Sequence, residues 1–167
     1  MSDVTEAVAD NRRYERPPSR YGLAVDATEE LLGREVVRVR RLLYVLPDGG
    51  IQGDRGDLEL TDMVGRVVVL GVGADGEQVG CHAGPWQDPF DVPLSEANAD
   101  FVRRSGKWVA FDLTEVPPYA QLVGRITSVQ PMKRGEKVFG VTLINDVGAT
   151  VEVTCDADET WVRFSPG

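Results

Sequence analysis

Apolar and polar residues alternate over residues 35–46, but in two phases: Val37 and Val39 share one, while Leu42, Tyr44 and Leu46 share the other. One extra residue switches the side that faces inward, so a long strand with a bulge near Arg40-Arg41 is predicted. Leu58-Glu59-Leu60, residues 66–72 and residues 77–81 read as shorter strands. Asp62-Met63-Val64-Gly65 and Asp75-Gly76 supply the hairpin turns between them. Upstream, residues 26–32 predict a short helix. Asp26 or Thr28 can cap it, Glu29 and Glu30 suit its positive end, and Gly33 can end it. Pro47-Asp48-Gly49-Gly50 and Gly53-Asp54-Arg55-Gly56 mark a turn-rich loop.

The order then returns. A helical turn over 118–123 precedes strands over 125–132, 138–144, 150–154 and 160–164. Turns at Lys133-Arg134-Gly135-Glu136, Asn145-Asp146-Val147-Gly148 and Asp156-Ala157-Asp158-Glu159 separate them. Leu31-Leu32-Gly33-Arg34 is echoed by Leu122-Val123-Gly124-Arg125. Residues 58–81 lie on 141–164 without a gap, placing Leu60, Val64, Gly65, Val68, Ala74, Asp75 and Val79 on Leu143, Val147, Gly148, Val151, Ala157, Asp158 and Val162. A duplicated unit is the expectation, with halves at 26–83 and 118–165. Gly65 should superpose on Gly148 and Asp75 on Asp158, and both glycines should have positive φ.

The connector, 84–117, predicts a helix capped by Ser95 and ending near Gly106, then a strand over 107–113. On that strand Trp108, Ala110 and Asp112 share one face, and Val109, Phe111 and Leu113 the other. The fold class is therefore α+β and mainly antiparallel β: two copies of a short helix plus a four-stranded meander, joined by a helix-strand connector. Residues 1–21 have no apolar period, contain Pro17-Pro18, and read as a loosely attached tail; residues 22–167 read as a single domain.

The chain of 167 residues carries a formal charge of −9. That argues against duplex nucleic acid as a partner and favours encounter with a basic protein. The longest aliphatic run, 67–70, is far too short for a membrane span, and the N-terminus lacks the basic and apolar regions of a signal peptide. A cytoplasmic location away from membranes is expected. Fifteen Arg against three Lys read as the bias of a GC-rich bacterial genome. The two cysteines, Cys81 and Cys155, fall at non-equivalent places in the halves and read as free, buried thiols.

No catalytic constellation emerges. Cys81 and His82, as neighbours on a strand, point to opposite faces and cannot form a nucleophile-base pair. No second Cys or His stands at zinc-ligand spacing from His82. Asp156-Ala157-Asp158-Glu159 fails the calcium-loop pattern, because Trp161 stands where the glycine is needed. Gly71-Val72-Gly73 lies in a hairpin and not at a strand-to-helix junction, so it is no phosphate loop. No metal or cofactor is expected.

The aromatic residues are the better candidates. Trp86 and Phe90 lie in a loop stiffened by Pro85 and Pro89, with Asp88 and Asp91 supplying charge. Trp161 falls on the outward side of its strand if Val162 points inward. Trp86, Asp88, Phe90, Asp91 and Trp161 form the candidate partner-binding set.

The stretch from Gly124-Arg125 through Val129 and Pro131, Gly140-Val141 and Leu143 to Ala157-Asp158-Glu159 and Val162 resembles a pattern in uncharacterised bacterial, in particular actinobacterial, proteins of the immunity type. The first half departs from it, with Gly76 in place of Glu159. The resemblance implies binding and transfers no catalytic residues. The expectation is a non-enzymatic protein-binding module, an immunity protein neutralising a basic toxin or effector. The alternative is a small β-barrel or sandwich with an internal cavity, lined by Tyr44, Trp108, Phe111 and Tyr119. It would bind a small hydrophobic ligand or act as a cyclase or isomerase.

Overall fold

The computed structural model describes residues 23–91 and 93–165; the tail expected over 1–21 lies outside them. Among the described residues the strands are β1 (Leu23–Ala24), β2 (Glu35–Val45), β3 (Leu58–Asp62), β4 (Val67–Val72), β5 (Val79–Ala83), β6 (Lys107–Asp112), β7 (Gly124–Arg134), β8 (Lys137–Asn145), β9 (Thr150–Asp156) and β10 (Glu159–Ser165). Two α-helices, α1 (Ala27–Leu31) and α2 (Glu96–Ser105), and a 3₁₀ turn at Tyr119–Leu122 complete the order. All paired strands are antiparallel.

The caps form where the side chains require them. Asp26 Oδ1 accepts from the Glu29 N–H at 3.0 Å, and Ser95 Oγ from the Asn98 N–H at 3.2 Å.

The strands follow one path, β1-β5-β4-β3-β2-β7-β8-β9-β10, with β6 on the far half of β2. β2 and β7 meet only where each begins, Glu35 opposite Arg125 and Val36 opposite Gly124, and then run apart. The sheet folds over this junction. Val36, Val39, Leu58, Leu60 and Leu70 from one side pack with Ile126, Val141, Leu143, Val151 and Val153 from the other in a single core. Leu31 and Leu122, from α1 and the 3₁₀ turn, fill its rim. These positions are 0–2% exposed, so burial of apolar area supplies the main cohesion of the fold.

The bulge lies between Val36 and Arg38, not near Arg40-Arg41. It turns Val36 and Val39 both toward the core and leaves Val37 43% exposed. It also aims Arg41, opposite Leu58, at the core side and Arg40, opposite Glu59, at the outer side. Adjacent arginines mimic a break in the pattern, but each finds partners on its own face: Arg40 through Nε and NH2, Arg41 through NH1 and NH2, while its buried Nε has none among the described residues.

β2-β3-β4-β5 and β7-β8-β9-β10 run as meanders of the same strand order. β7 is also irregular between Ile126 and Ser128. Gly65 and Gly148 have φ of 83° and 82°, and each donates its N–H to the carbonyl of the residue three before it, Asp62 or Asn145. The gapless match breaks in the last strand. Residues 73–78 join β4 to β5, whereas Ala157-Asp158 alone, both with positive φ, join β9 to β10. Val79 therefore pairs with Val72, but Val162 pairs with Val153, and Asp75 does not occupy the place of Asp158. A slip of two residues preserves side-chain facing, so Val79 and Val162 both pack on the core.

Candidate functional site

The unique loop after β5 lies on the outer face of β2, β3 and β4. Trp86 is 7% exposed and packs on Leu42 and Val69, with Trp108 and Ala110 beside it. Beneath it the Arg40 guanidinium grips Glu59 with two prongs, Nε to Oε1 at 2.6 Å and NH2 to Oε2 at 2.8 Å. The Trp86 backbone N–H donates to the same Oε2 at 2.9 Å. The hydrogen bond to Glu59 raises the Arg40 pKa, so the guanidinium stays charged. The loop is thus a lid over an ion pair whose carboxylate is buried and whose guanidinium is partly so.

That placement corrects the expectation for Trp86, which is a plug and not an exposed anchor. Asp88 is also engaged: Oδ1 accepts from the Phe90 N–H at 2.8 Å and Oδ2 from Lys107 Nζ at 2.7 Å. Phe90 is half-buried and stacks on Phe101 of α2, centroids 6.3 Å apart. Asp91 remains exposed. Sequence treated the segment as surface because an aromatic, proline-rich loop carries no periodic sign of what lies under it.

On the core side, Arg41 is 1% exposed. NH1 donates to Tyr119 Oη at 2.6 Å, and NH2 to the carbonyls of Asp54 and Gly56 at 2.6 and 3.0 Å. Arg41 therefore ties the loop before β3 to the 3₁₀ turn. The same loop bonds to β10 through Gly56 N–H to the Thr160 carbonyl at 2.9 Å and Thr160 Oγ1 to Asp57 Oδ1 at 2.8 Å.

These ties place Arg55 beside β10. Its NH1 donates to Glu159 Oε1, and its guanidinium carbon lies 5.7 Å from the centroid of the Trp161 ring. Glu159 and Trp161 share the outer face of β10, since Thr160 is buried and Val162 packs on the core. Next to the pair opens a cleft of about 160 Å³ lined by Tyr44, Gln52, Arg55, Trp108 and Glu159. Tyr44 and Trp108 are cross-strand partners in edge-to-face contact, with centroids 5.4 Å apart. Of the residues expected in an internal cavity, Tyr44 and Trp108 line this open cleft. Tyr119 instead packs edge-on against Phe164.

The structure therefore separates the candidate residues. Trp86, Asp88 and Phe90 belong to the lid, and Trp161 stands beside the cleft, next to Arg55 of its lining. Sequence reasoning missed Arg55 and Glu159, and it offered Tyr44 and Trp108 only in the alternative reading, as lining of an internal cavity. A signal for Arg55 existed: an arginine amid Gly53, Asp54 and Gly56 has no apolar neighbour to cover and must find a distant partner.

The cysteines are free and buried. Burial pushes the Cys81 thiol up to about 12, with Glu30 and Asp26 adding to the shift. Such a thiol stays protonated and is a poor nucleophile. Among the described residues no group of three or more His, Cys, Asp or Glu side chains could hold a metal ion, and no helix is long and apolar enough to cross a membrane. Comparison with known proteins found no matching family model, no similar curated protein and no similar solved structure.

Proposed function

We propose that this chain is a non-enzymatic, cytoplasmic protein-binding module of the immunity type, which neutralises a basic effector by docking it against the face of β10. One observation carries the reading. Trp161 and Glu159 stand side by side on the outer face, next to an open aromatic cleft, in a chain of charge −9. Aromatic residues give contact area at low entropic cost, and surrounding carboxylates steer a cationic partner. Asp156 and Asp158, exposed at the β9–β10 turn, extend the acidic surface.

The two meanders are read as duplicated halves. Supporting this are their common strand order, the irregularities in β2 and β7, and the paired turns at Gly65 and Gly148. In this view the lid, α2, β6 and the outer residues of β10 are later additions to a repeated scaffold, which is where binding chemistry is added.

The test is co-expression of the full chain with the products of the genes flanking its own, followed by size-exclusion chromatography and calorimetry. A stable complex with a protein of high isoelectric point, weakening as salt rises, is the expected result. Binding to a neutral or acidic partner, or to none of these products, overturns the reading.

A further inference from the structure

The same face specifies the chemistry of its contact. Arg55 is an internal example of a bound ligand: a guanidinium near the Trp161 ring, paired with Glu159, with Asp54 close enough to favour its charge. The Arg55 and Glu159 side chains are each 38% exposed, so the pair is open to exchange with a group from outside. Room for an incoming side chain lies directly beside it, between Arg55 and the Tyr44–Trp108 pair. Of the carboxylates, Glu159 lines the cleft and Asp54 acts on the charge of Arg55, so the site itself favours a cation.

We infer that this cleft is a receptor for an arginine side chain of a protein partner, which takes over Glu159 and the Trp161 ring from Arg55. The inference rests on the functional reading above and names its central contact. An arginine suits the site better than a lysine. Its planar guanidinium stacks on an indole while pairing with a carboxylate, and it sheds water more readily than an ammonium group. Arg55 acts as a placeholder, keeping Glu159 paired in the free protein at the cost of competing with the partner.

The experiment uses the full chain and two peptides, acetylated and amidated hexa-arginine and hexa-lysine, followed by NMR of the three tryptophan indole N–H groups. Hexa-arginine should shift the Trp161 and Trp108 resonances in a saturable way. The Trp86 resonance, from the buried residue of the lid, should stay fixed and report an intact fold. Trp161→Ala and Glu159→Gln should each weaken binding about tenfold, and hexa-lysine should bind several-fold more weakly than hexa-arginine. Arg55→Gln should tighten binding several-fold beyond Arg66→Gln, which removes the same charge at an exposed site on another turn. The inference is overturned if Trp161 does not respond, or if Arg55→Gln and Arg66→Gln have equal effects. A basic partner that binds Trp161→Ala with unchanged affinity would refute this contact and leave the functional reading standing. Absence of any basic partner would refute that reading instead.

Discussion

Arg40 and Glu59 face each other across β2 and β3 and close a two-pronged ion pair under Trp86. Glu59 is 2% exposed, so the pair lies in a poorly hydrated layer on the outer side of the sheet. Removing one partner strands the other charge there. Glu59→Ala should cost about 3–5 kcal/mol in denaturant unfolding and release the lid, making Trp86 fluorescence more solvent-exposed. A double change, Arg40→Met with Glu59→Leu, should be far milder, because it removes both charges and keeps apolar volume.

Asp88 and Asp91 lie three residues apart but should behave differently. Asp88 holds the turn at Phe90 and receives Lys107, whereas Asp91 is exposed. Asp88→Ala should lose about 1–2 kcal/mol of stability, and Asp91→Ala should stay within about 0.5 kcal/mol of the parent. Chemical unfolding midpoints measured in parallel decide the matter. Equal effects would mean that the lid is not fastened through Asp88.

Gly56 is the tightest point of the loop that presents Arg55. A Cβ there would lie 1.7 Å from the Leu42 carbonyl oxygen and 3.2 Å from the Trp108 ring. Gly65, in contrast, has open space around it and only its positive φ to defend. Gly56→Ala should therefore cost on the order of 3 kcal/mol and disturb the cleft, while Gly65→Ala costs about 1 kcal/mol and leaves it intact. Thermal unfolding gives the first comparison, and the Trp108 and Trp161 indole resonances the second.

Cys81 makes stability depend on alkaline pH. Its folded pKa, about 12, lies above the ordinary thiol value of 9.0. The native state therefore holds the proton that the unfolded chain releases. The associated stability is complete below about pH 9 and declines as pH rises toward 12. Cys81→Ala should flatten that decline. In the native protein at pH 8, Cys81 should resist iodoacetamide and become reactive in denaturant. Rapid labelling of the folded chain would show that the strand around Cys81 opens locally.

Sequence alone determined the local structure. Asp26 and Ser95 cap their helices, and the Asp62–Gly65 and Asp156–Glu159 turns form, because each depends on contacts among residues a few positions apart. Period-two alternation likewise placed Val162 inward and Trp108 with Ala110 on one face. Alternation says that a strand has two faces, but not what covers each one. Only the tertiary structure decided that β2 is covered on both sides, so Arg41 is held at the core by Tyr119 while Arg40 meets Glu59 beneath Trp86. The bulge went to Val36–Arg38, and not to the adjacent arginines, because filling the core with Val36 and Val39 outweighs keeping charge out of it once each guanidinium has partners. The lengths of the β4–β5 and β9–β10 connections set the final strand registers, a slip that the gapless match conceals because a shift of two leaves facing unchanged. The meeting of Arg55 with Glu159 and Trp161 has the same origin: residues far apart in the chain are brought together only when the loop before β3 bonds to β10 at Thr160.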